Sequence, residues 1–497
     1  MEIRRSLVVN ATPLETRIAL LENGQVCELF IERSSHVTQV GHVYKGRVAK
    51  LLQGMQSAFV SIGGPKDGFL YLDELESHQL DGEEEDDEVG EELEGPPVSL
   101  PPLKEGEEAL VQVVKDPIGT KGPRLSRHLS FPGRFLVFMP GIDHVGISRK
   151  ITDPVERERL RALVRSHAQP GEGFIVRTAA IGEKDEDLVS DVAALREVWA
   201  EVRERARCCP APCLLWQDMG LLQKVLRDLF REEVSSFWVD TDEAYREVVD
   251  FVGRLHPEWV ERVKRFSSDM PIFEAFSIEK EVEAARHSKV PLRHGGSIVL
   301  NQTEALVSVD VNTGKFVGKK DLEETVYLTN LEAIPEIVRQ LRLRNLGGIV
   351  VIDFIDMMDP EHRAGVMARL QEELQRDRNH ARASGISEFG LVEMTRKRTG
   401  PSLERQLTRP CPHCEGTGRL VSSETVMLDV YRELARRGEA MRGCTVRLTL
   451  PPDLRAELAP ETREGVAQLA RAFGAQLAWI EREGPRHAVD FELLPPK

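Results

Sequence analysis

The sequence predicts a multidomain protein of mixed α/β and α+β class, and three observations support this prediction. The chain has 497 residues, which is enough for about three or four domains. Short β-branched segments with glycine turns fill its first quarter. From about residue 153 onward, amphipathic helical patterns alternate with strand patterns.

The composition favours a water-soluble, cytoplasmic protein. Hydrophobic residues make up 41% and charged residues 30% of the chain. No apolar run approaches the length of a membrane span, and the N-terminus lacks the apolar core of a signal peptide. Residues 81–94 contribute ten of the sixteen net negative charges, so the acidity is largely local and does not exclude nucleic-acid binding elsewhere.

The first 126 residues are predicted to be all-β. Alternating apolar residues at 3–33 indicate three strands, and Asn23-Gly24 is a hairpin signal. Short strands with glycine turns at 39–126 indicate a small barrel. Its acidic insertion, residues 81–97, is expected to be a solvated, disordered loop.

The rest of the chain is predicted to mix helices and strands. Two strands at 131–147 precede helices at 153–169 and 184–206, with a strand at 174–178 between the helices. Residues 219–264 are mostly helical, 280–400 are α/β, and 400–418 form a neck rich in glycine and proline. Pro335 predicts either the start of a second helix or a kink. The tail reads as a compact α+β unit with a strand at 445–450 and helices at 453–474.

Three polar side chains are predicted to meet at one edge of a sheet. Asp310 and Asn312 share one face of a β-branched strand, and Asp353 ends a second, apolar strand. About thirty residues of helical pattern separate the strands, which predicts a parallel βαβ unit, and the apolar run predicts a strand buried on both faces. Such sheets bind ligands at the carboxyl ends of their strands, and these oxygens suit magnesium. The alternative for a single aspartate is a helix cap, as for Asp356 and Asp359 before Pro360.

The cysteines suggest a second metal site. Cys411 and Cys414 in CPHC can supply two thiolates, but a structural zinc needs four ligands. A redox pair or a chance pair is the alternative. A further source within the chain is CCPAPC, which contains Cys208, Cys209 and Cys213.

The chain resembles the RNase E/G family of bacterial endoribonucleases through motifs that occur in order. The catalytic half is similar in SVDVNTGKFVG, TNLEA, LRLRNLGGIVVIDFIDM, FGLVEMTRKRTGPSL and CPHCEGTG. The OB-fold module is similar in GHVYKGRVAKLLQGMQSAFVSIGGPKDGFL. The likeness runs from about residue 5 to 420. Because the chain stops at 497 without the long disordered tail of the E branch, we expect it to belong with the G branch.

The resemblance implies an architecture of inserted and consecutive domains. An RNase H-like domain is split into two parts, and an OB-fold RNA-binding domain and a 5′-sensor subdomain are inserted between them. A DNase I-like catalytic subdomain, a zinc link and a small dimerisation domain follow. In this order the parts occupy residues 1–38, 39–126, 127–215, 216–279, 280–399, 400–418 and 419–497.

The resemblance also implies two metals and a homodimer or a dimer of dimers. Asp310 and Asp353 would hold one catalytic magnesium, and Asn312 would orient Asp310 or the scissile phosphate. Cys411 and Cys414 would share a structural zinc with the same pair of a second chain.

Four residues of the OB-fold module are expected to bind single-stranded RNA. Aromatic Phe59 and Phe69 would stack on bases, while Lys115 and Lys121 would meet phosphates. The pattern alone leaves a core position open for either phenylalanine. The basic segment 394–410, which includes Arg396, is either a further phosphate contact or a solvated helix end.

Two residues match the family's pocket for a 5′-monophosphate, and a third is expected beside it. Arg177 and Thr178 end the predicted strand FIVRT, and Arg149 in GISRK is expected nearby. A guanidinium can hold a terminal phosphate with two hydrogen bonds. Without the resemblance, an ordinary surface Arg-Thr pair would be the simpler interpretation.

The family therefore predicts a magnesium-dependent endoribonuclease. It would hydrolyse single-stranded, AU-rich RNA to 5′-phosphate and 3′-hydroxyl ends, favour 5′-monophosphorylated substrates, and act in rRNA processing and mRNA decay. A non-catalytic RNA-binding or assembly protein is the alternative, although the triplet of Asp310, Asn312 and Asp353 argues against it. A DNA nuclease would use the same metal chemistry.

Overall fold

The computed structural model describes residues 3–35, 37–72, 101–117, 121–313, 322–412, 414, 416–483 and 489–495. The chain divides into two compact units, Met1–Glu404 and Arg405–Lys497. The acidic run at 81–94 lies outside the described residues, so its expected disorder stays a prediction. In the part that is described, no helix is long and apolar enough to cross a membrane.

The first sheet joins the N-terminus to residues about 230 positions later. Three of its strands are parallel neighbours, and two more continue the sheet in antiparallel pairing. Asn23 and Gly24 both have positive φ, 51° and 81°, as the predicted tight hairpin requires. Helices Leu221–Leu229 and Asp242–Leu255 cover one face, with Phe237 in the core. The strand order is Val263–Arg265, Val234–Val239, Arg5–Ala11, Glu15–Glu22 and Gln25–Arg33.

The predicted small barrel is confirmed. It closes because its first strand pairs with both the second and the fourth strand along the chain. Val60, Leu70 and Val111 fill its interior. A strand from outside the barrel, Cys213–Trp216, extends the sheet at the first strand. The barrel strands are Val43–Leu52, Ser57–Ser61, Gly68–Tyr71, Glu108–Lys115 and Arg124–Ser126.

A third sheet carries two helices, as the sequence predicts. Asp153 caps the first helix by accepting a hydrogen bond from the Val155 N–H, and Pro154 occupies its first position. Phe138 and Phe174 pack in the core between this sheet and its helices. The strands, in spatial order, are Val145–Ile147, Glu172–Val176, Leu136–Pro140 and Phe131–Pro132, and the helices are Pro154–His167 and Asp185–Cys208.

The fourth sheet, called here the carboxylate sheet, contains the predicted βαβ unit. Leu306–Asn312 and Gly348–Asp353 are parallel neighbours, and helix Leu322–Leu343 connects them. Helix Pro360–Leu374 packs into the same core. Helices Ile272–Ala275 and Ile278–Ala284 precede the sheet. Its strand order is Lys289–Pro291, Ser297–Gln302, Leu306–Asn312, Gly348–Asp353, Leu391–Arg396 and Ala381–Ile386.

Two expectations for this region are wrong: a helix start at Pro335, and burial of the strand Gly348–Asp353 on both faces. A kink at Pro335, the other alternative, stays a prediction. Pro335 neither starts nor ends a helix but lies inside Leu322–Leu343, where Ile334, Ile337 and Leu341 are buried around it. Their burial offsets the roughly 3 kcal/mol that an interior proline costs. The strand Gly348–Asp353 is not buried on both faces, because the two helices pack on one face and Ile349 on the other is 53% exposed.

The C-terminal unit is an α+β arrangement with its own core. A three-stranded sheet has a central strand at the predicted position, residues 445–450. Leu434, Leu448, Leu454 and Val466 are among the side chains packed in its core. The strand order is Gln476–Glu481, Thr445–Leu450 and Asp490–Leu494, and the helices from the neck onward are Leu403–Leu407, Ser423–Arg437, Pro452–Glu457 and Pro460–Ala472.

Candidate active site

Asp310 and Asp353 stand directly beside each other on the carboxylate sheet. They are register partners on two parallel strands, so their side chains leave the same face. Both lie at or near the carboxyl ends of those strands, as the sequence predicts. Val299 and Leu391 continue the same row on the neighbouring strands. The structure thus brings together two acids that are more than forty positions apart in the sequence.

The two acids lie on the exposed face of the sheet. Val307, Val309 and Val311 point into the core, whereas Asp310 and Asn312 alternate with them and are exposed. Within the described residues, helices Leu322–Leu343 and Pro360–Leu374 pack against the core face of the sheet. The face that bears Asp310, Asn312 and Asp353 is called the open face below. An exposed face can admit a polymer strand, which a closed pocket would exclude.

The charges on the open face repel one another. The Asn312 amide donates a hydrogen bond of 2.6 Å to Asp310 Oδ2, which fixes that carboxylate. Partial burial, followed by the negative charges of Asp310 and Asp356, raises the pKa of Asp353. A bound cation would relieve this repulsion.

The oxygen ligands of this site suit magnesium, and they do not form a closed cage of protein ligands. Among the described residues, no group of three or more His, Cys, Asp or Glu side chains is placed to hold a metal. Magnesium is commonly bound through one or two carboxylates and keeps several of its waters. Two carboxylates and an amide oxygen on an open surface meet that requirement.

The loop that follows Asp353 is held by two side chains of the crossover helix. Asn330 is fully buried, and its amide both donates to the Ile355 carbonyl and accepts from the Ile355 N–H. Glu323 accepts hydrogen bonds from the N–H groups of Met358 and Asp359. These contacts fix the backbone next to the carboxylate pair.

Asp356 and Asp359, which the sequence left between acidic ligand and helix cap, have different roles. Asp359 caps helix Pro360–Leu374 by accepting from the Glu361 N–H at 2.8 Å. Asp356 is exposed, and its charge acts on Asp353.

The barrel presents a row of aromatic and basic side chains on its outer surface. Phe59 and Phe69 are register partners with ring centroids 5.8 Å apart, and both are half-buried. Val60 and Leu70 occupy the interior positions instead, so neither phenylalanine is a core residue. Tyr71 lies 4.9 Å from Phe69 by ring centroids, and the Arg124 guanidinium stacks over Tyr71.

Strand pairing extends this row across the whole sheet. Lys50 is the register partner of Phe59, Arg124 of Phe69, and Lys115 of Arg124. Lys121 is exposed and follows the undescribed residues 118–120. Sequence reasoning missed Lys50 and Tyr71, because only the pairing shows that they lie beside the two phenylalanines.

The predicted phosphate sensor residues follow two neighbouring parallel strands. Ile147 and Val176 are register partners, so Arg149 and the Arg177-Thr178 pair emerge at the same edge. Arg149 is exposed and Thr178 is half-buried.

The Arg177 guanidinium is buried and already bonded. It donates to the Gly133 carbonyl and to Asp228 Oδ1, each at 2.9 Å. Although burial opposes ionisation, hydrogen bonds and charge from Arg227 and Arg177 lower the pKa of Asp228 to about 2. A phosphate at this edge must therefore share Arg177 with a permanently charged carboxylate.

The CPHC motif favours thiolate chemistry. Backbone N–H groups of Gly418 and Gly416, together with the Cys411 side chain, lower the pKa of Cys414. Stabilised thiolates are what zinc requires. In the first unit, Cys209 contacts Cys213, and burial followed by this contact raises the pKa of Cys213.

Comparison with known proteins gives the lineage. A sequence profile described as the Ribonuclease E/G family matches residues 130–399. Ribonuclease G of Escherichia coli (strain K12) is 40% identical over 473 residues, which cover 95% of this chain and 96% of that protein. The chain belongs to the Ribonuclease E/G family. It is a homologue of Ribonuclease G, an endoribonuclease.

Two other relatives differ in how much of their own length is matched. Ribonuclease G of Haemophilus influenzae is 42% identical over 431 residues, covering 86% of this chain and 87% of that protein. Ribonuclease E of Escherichia coli (strain K12) is 34% identical over 467 residues, covering 93% of this chain but 43% of that protein.

Within the basic segment 394–410, the prediction for Arg396 is wrong, because this side chain is buried. Arg396 is buried and pairs with Asp377 at 2.6 Å, and it also donates to the Leu346 carbonyl. It therefore anchors the start of the strand Gly348–Asp353 rather than contacting a phosphate. Its place on the core face follows from strand alternation with Val392 and Met394.

Sequence reasoning also missed Asn330 as a loop anchor. It lies in the TNLEA motif, between apolar residues of a helix that is buried along much of its length. A polar amide in such a position needs partners, and that signal was present in the sequence.

Proposed function

We propose that this protein is a magnesium-dependent endoribonuclease that hydrolyses single-stranded RNA to 5′-phosphate and 3′-hydroxyl ends. The observation that carries the proposal is the in-register, exposed pair of Asp310 and Asp353 beside Asn312. The relatives are named ribonucleases, and enzymes of the family are metal-dependent. An exposed carboxylate pair on an open face suits a polymeric substrate.

The chemistry follows from the charges. Magnesium supplies a positive charge for the phosphate and lowers the pKa of its bound water. Asp310 and Asp353 hold the cation and do not attack phosphorus themselves. Asn312 fixes Asp310 through the 2.6 Å hydrogen bond, so that this carboxylate needs little reorganisation when substrate arrives. Water adds to phosphorus and the 3′-oxygen departs, which gives the stated ends.

RNA binding by the barrel accounts for the preference for single strands. The rings of Phe59 and Phe69 offer faces on which unpaired bases stack, and Lys115 and Lys121 would meet the backbone phosphates. Lys50, Tyr71 and Arg124 extend that surface. A duplex keeps its bases inside and could not use the aromatic row. We include AU-rich sequence preference in the proposal, because weak pairing leaves such RNA single-stranded.

The preference for 5′-monophosphorylated RNA would come from the edge that bears Arg149, Arg177 and Thr178. Exposed Arg149 can make the first contact with a terminal phosphate, and the Thr178 hydroxyl can donate to it. Arg177 would contribute while retaining Asp228 as a second partner.

Zinc would join two chains. Cys411 and Cys414 provide two thiolates, and the same pair of a second copy completes the four ligands of a structural site. The assembly would then be a homodimer or a dimer of dimers. Cys208, Cys209 and Cys213 remain an alternative source of ligands within the chain.

The finer domain scheme is part of the same proposal. The split RNase H-like domain, 1–38 and 216–279, is supported by the single sheet that contains strands from both segments. The OB-fold domain would be 39–126, the 5′-sensor 127–215, the DNase I-like subdomain 280–399, the zinc link 400–418 and the dimerisation domain 419–497. The protein would act in the cytoplasm, in rRNA processing and mRNA decay.

The test is cleavage of one 5′-monophosphorylated single-stranded RNA with magnesium, comparing wild type with Asp353→Asn. Asp359→Asn is the matched control, since asparagine also caps helices and Asp359 lies outside the carboxylate pair. We expect cleavage by wild type and Asp359→Asn only. RNA binding without cleavage by any protein would favour a non-catalytic RNA-binding role. Cleavage of a DNA strand of the same sequence would favour the DNA nuclease alternative.

A further inference from the structure

Two of the most exposed apolar side chains lie near the carboxylate pair. Phe389 is 87% exposed and Met358 is 82% exposed, the two largest fractions among large apolar side chains in the described part of the chain. Single exposed apolar residues are common on protein surfaces. Two of them close to one functional site call for a local explanation.

The turn that carries Phe389 is adjacent to the acids. It connects strands Ala381–Ile386 and Leu391–Arg396, and Leu391 is the register partner of Asp353. A Cβ added at Gly390 would lie 3.2 Å from Asp356 Oδ1, so the tip of the turn touches the loop after Asp353. Met358 lies on that same loop, where the bond from its N–H to Glu323 holds its backbone.

The fold does not need the aromatic ring at this position. The turn is closed by hydrogen bonds from the Ser387 N–H to the Leu391 carbonyl and from the Gly390 N–H to the Ser387 carbonyl. The Ser387 hydroxyl also accepts from the Leu391 N–H. Gly390 provides the positive φ of 80° that the turn requires. Phe389 contributes neither a closing contact nor core packing, so its ring is available to a ligand.

We propose that Phe389 stacks on a nucleobase of the RNA strand immediately beside the bond that is cut. The inference rests on the proposed function and names a residue that binds and positions its substrate. A strand whose phosphate lies at Asp310 and Asp353 must pass its neighbouring nucleotide over the edge of the open face. Phe389 stands at that edge and offers a ring face to a base of any identity. Met358 offers an apolar surface on the adjoining loop.

The test uses three RNAs with one cleavage site each: the intact strand, and two strands that lack the base on the 5′ or the 3′ side of the scissile phosphate. Wild type is compared with Phe389→Ala, Phe389→Trp and Leu14→Ala. Leu14 is 76% exposed in the turn between strands Arg5–Ala11 and Glu15–Glu22, and it serves as the control for loss of an exposed apolar side chain. The readout is kcat/KM, with thermal unfolding and native mass measured for each variant.

We expect Phe389→Ala to lower kcat/KM on the intact RNA by about tenfold, the size of one stacking contact. On one of the two abasic strands, wild type and Phe389→Ala should be equal, because the partner base is gone. Phe389→Trp should restore cleavage of the intact strand, and Leu14→Ala should behave as wild type.

Three results would overturn the inference. Equal losses by Phe389→Ala on all three strands would show that the ring acts without a base partner. Unchanged cleavage would show that it does not act at all. A changed native mass would show that Phe389 packs against a second copy of the chain. If wild type cuts none of the strands, the proposed function fails as well, and this outcome is distinct because it precedes any effect of the variants.

Discussion

Two regions of this protein treat charge in opposite ways. On the open face, Asp353 lies near Asp310 and Asp356, and burial together with these like charges raises its pKa. At the edge that bears Arg177, Asp228 accepts hydrogen bonds from both Arg227 and the buried Arg177, and its pKa is about 2 despite its partial burial. In the described part of the chain, the charges that act on Asp353 are both negative, so this region would favour a bound cation. In the second region an anion already lies between two guanidinium groups, so a phosphate must compete with Asp228 for Arg177.

The largest expected effect concerns the uncompensated acids. Asp310→Ala or Asp353→Asn should each lower the single-turnover cleavage rate by about a thousandfold, because each removes part of the support for a cation worth several kcal/mol. The double variant should be little worse than either single variant, since the two carboxylates act as one unit. Single-turnover kinetics on one RNA at several magnesium concentrations measure this. Additive losses would mean that the two acids act separately.

The second effect concerns the compensated pair. Asp228→Ala should lower the free energy of unfolding by about 3 kcal/mol, because Arg177 stays buried without its carboxylate. Urea unfolding at neutral pH measures the loss. Glu233→Ala, which breaks an exposed ion pair with Arg5, is the control and should cost less than about 1 kcal/mol.

The pH dependence of this pair has a definite sign. The folded pKa of Asp228 is about 2, below its ordinary value of 3.8. Its stabilising contribution is therefore complete above about pH 4 and is lost as the pH falls towards 2. Asp228→Ala should lack this part of the acid dependence, and an unchanged acid profile would contradict the pairing.

A smaller effect is expected at Asn330, which links the crossover helix to the loop after Asp353. Asn330→Ala should cost about 2 kcal/mol of stability, because the N–H and carbonyl of Ile355 lose their buried partner. The kcat should also fall, since the loop beside the acids is no longer held. Urea unfolding and steady-state cleavage are the measurements, with the exposed Asn301→Ala as control. A loss of stability with unchanged kcat would separate the loop from catalysis.

The smallest effect is a shift in the pH profile of cleavage. Asp353 must be ionised to hold a cation, and its raised pKa means that activity is lost on acidification at a higher pH than for an ordinary aspartate. Asp356→Asn removes one of the charges that raise this pKa. The acid limb of the kcat/KM profile should therefore move to lower pH. A shift to higher pH would show that Asp356 itself supports the cation.

Local signals in the sequence were sufficient for much of the fold. Asn23-Gly24 specifies its turn through backbone conformation alone, and Pro154 after Asp153 specifies a helix start, because both depend only on neighbouring residues. The βαβ unit followed from strand patterns and spacing. These local features are sufficient to predict that Asp310 and Asp353 lie at the ends of neighbouring strands.

The errors share a different cause. Whether Ile349 is covered and whether Arg396 meets solvent depend on which face of a sheet receives distant helices. Whether Pro335 starts a new helix depends on the burial of the residues around it. Strand alternation gives two faces but does not say which one is buried. The partners of Arg177 and Asn330 are likewise distant in sequence, so no local pattern could reveal them.

The first sheet has a consequence for how the chain is made. Strand Arg5–Ala11 pairs in parallel with Val234–Val239, about 230 residues later. At ordinary rates of synthesis, roughly 10 to 50 seconds separate the emergence of these two strands from the ribosome. The barrel and the third sheet emerge within that interval, so we expect them to fold while the N-terminal hairpin still presents an unpaired edge. Nascent chains in which strand Val234–Val239 has not yet left the ribosome should therefore engage chaperones more than chains in which it has emerged.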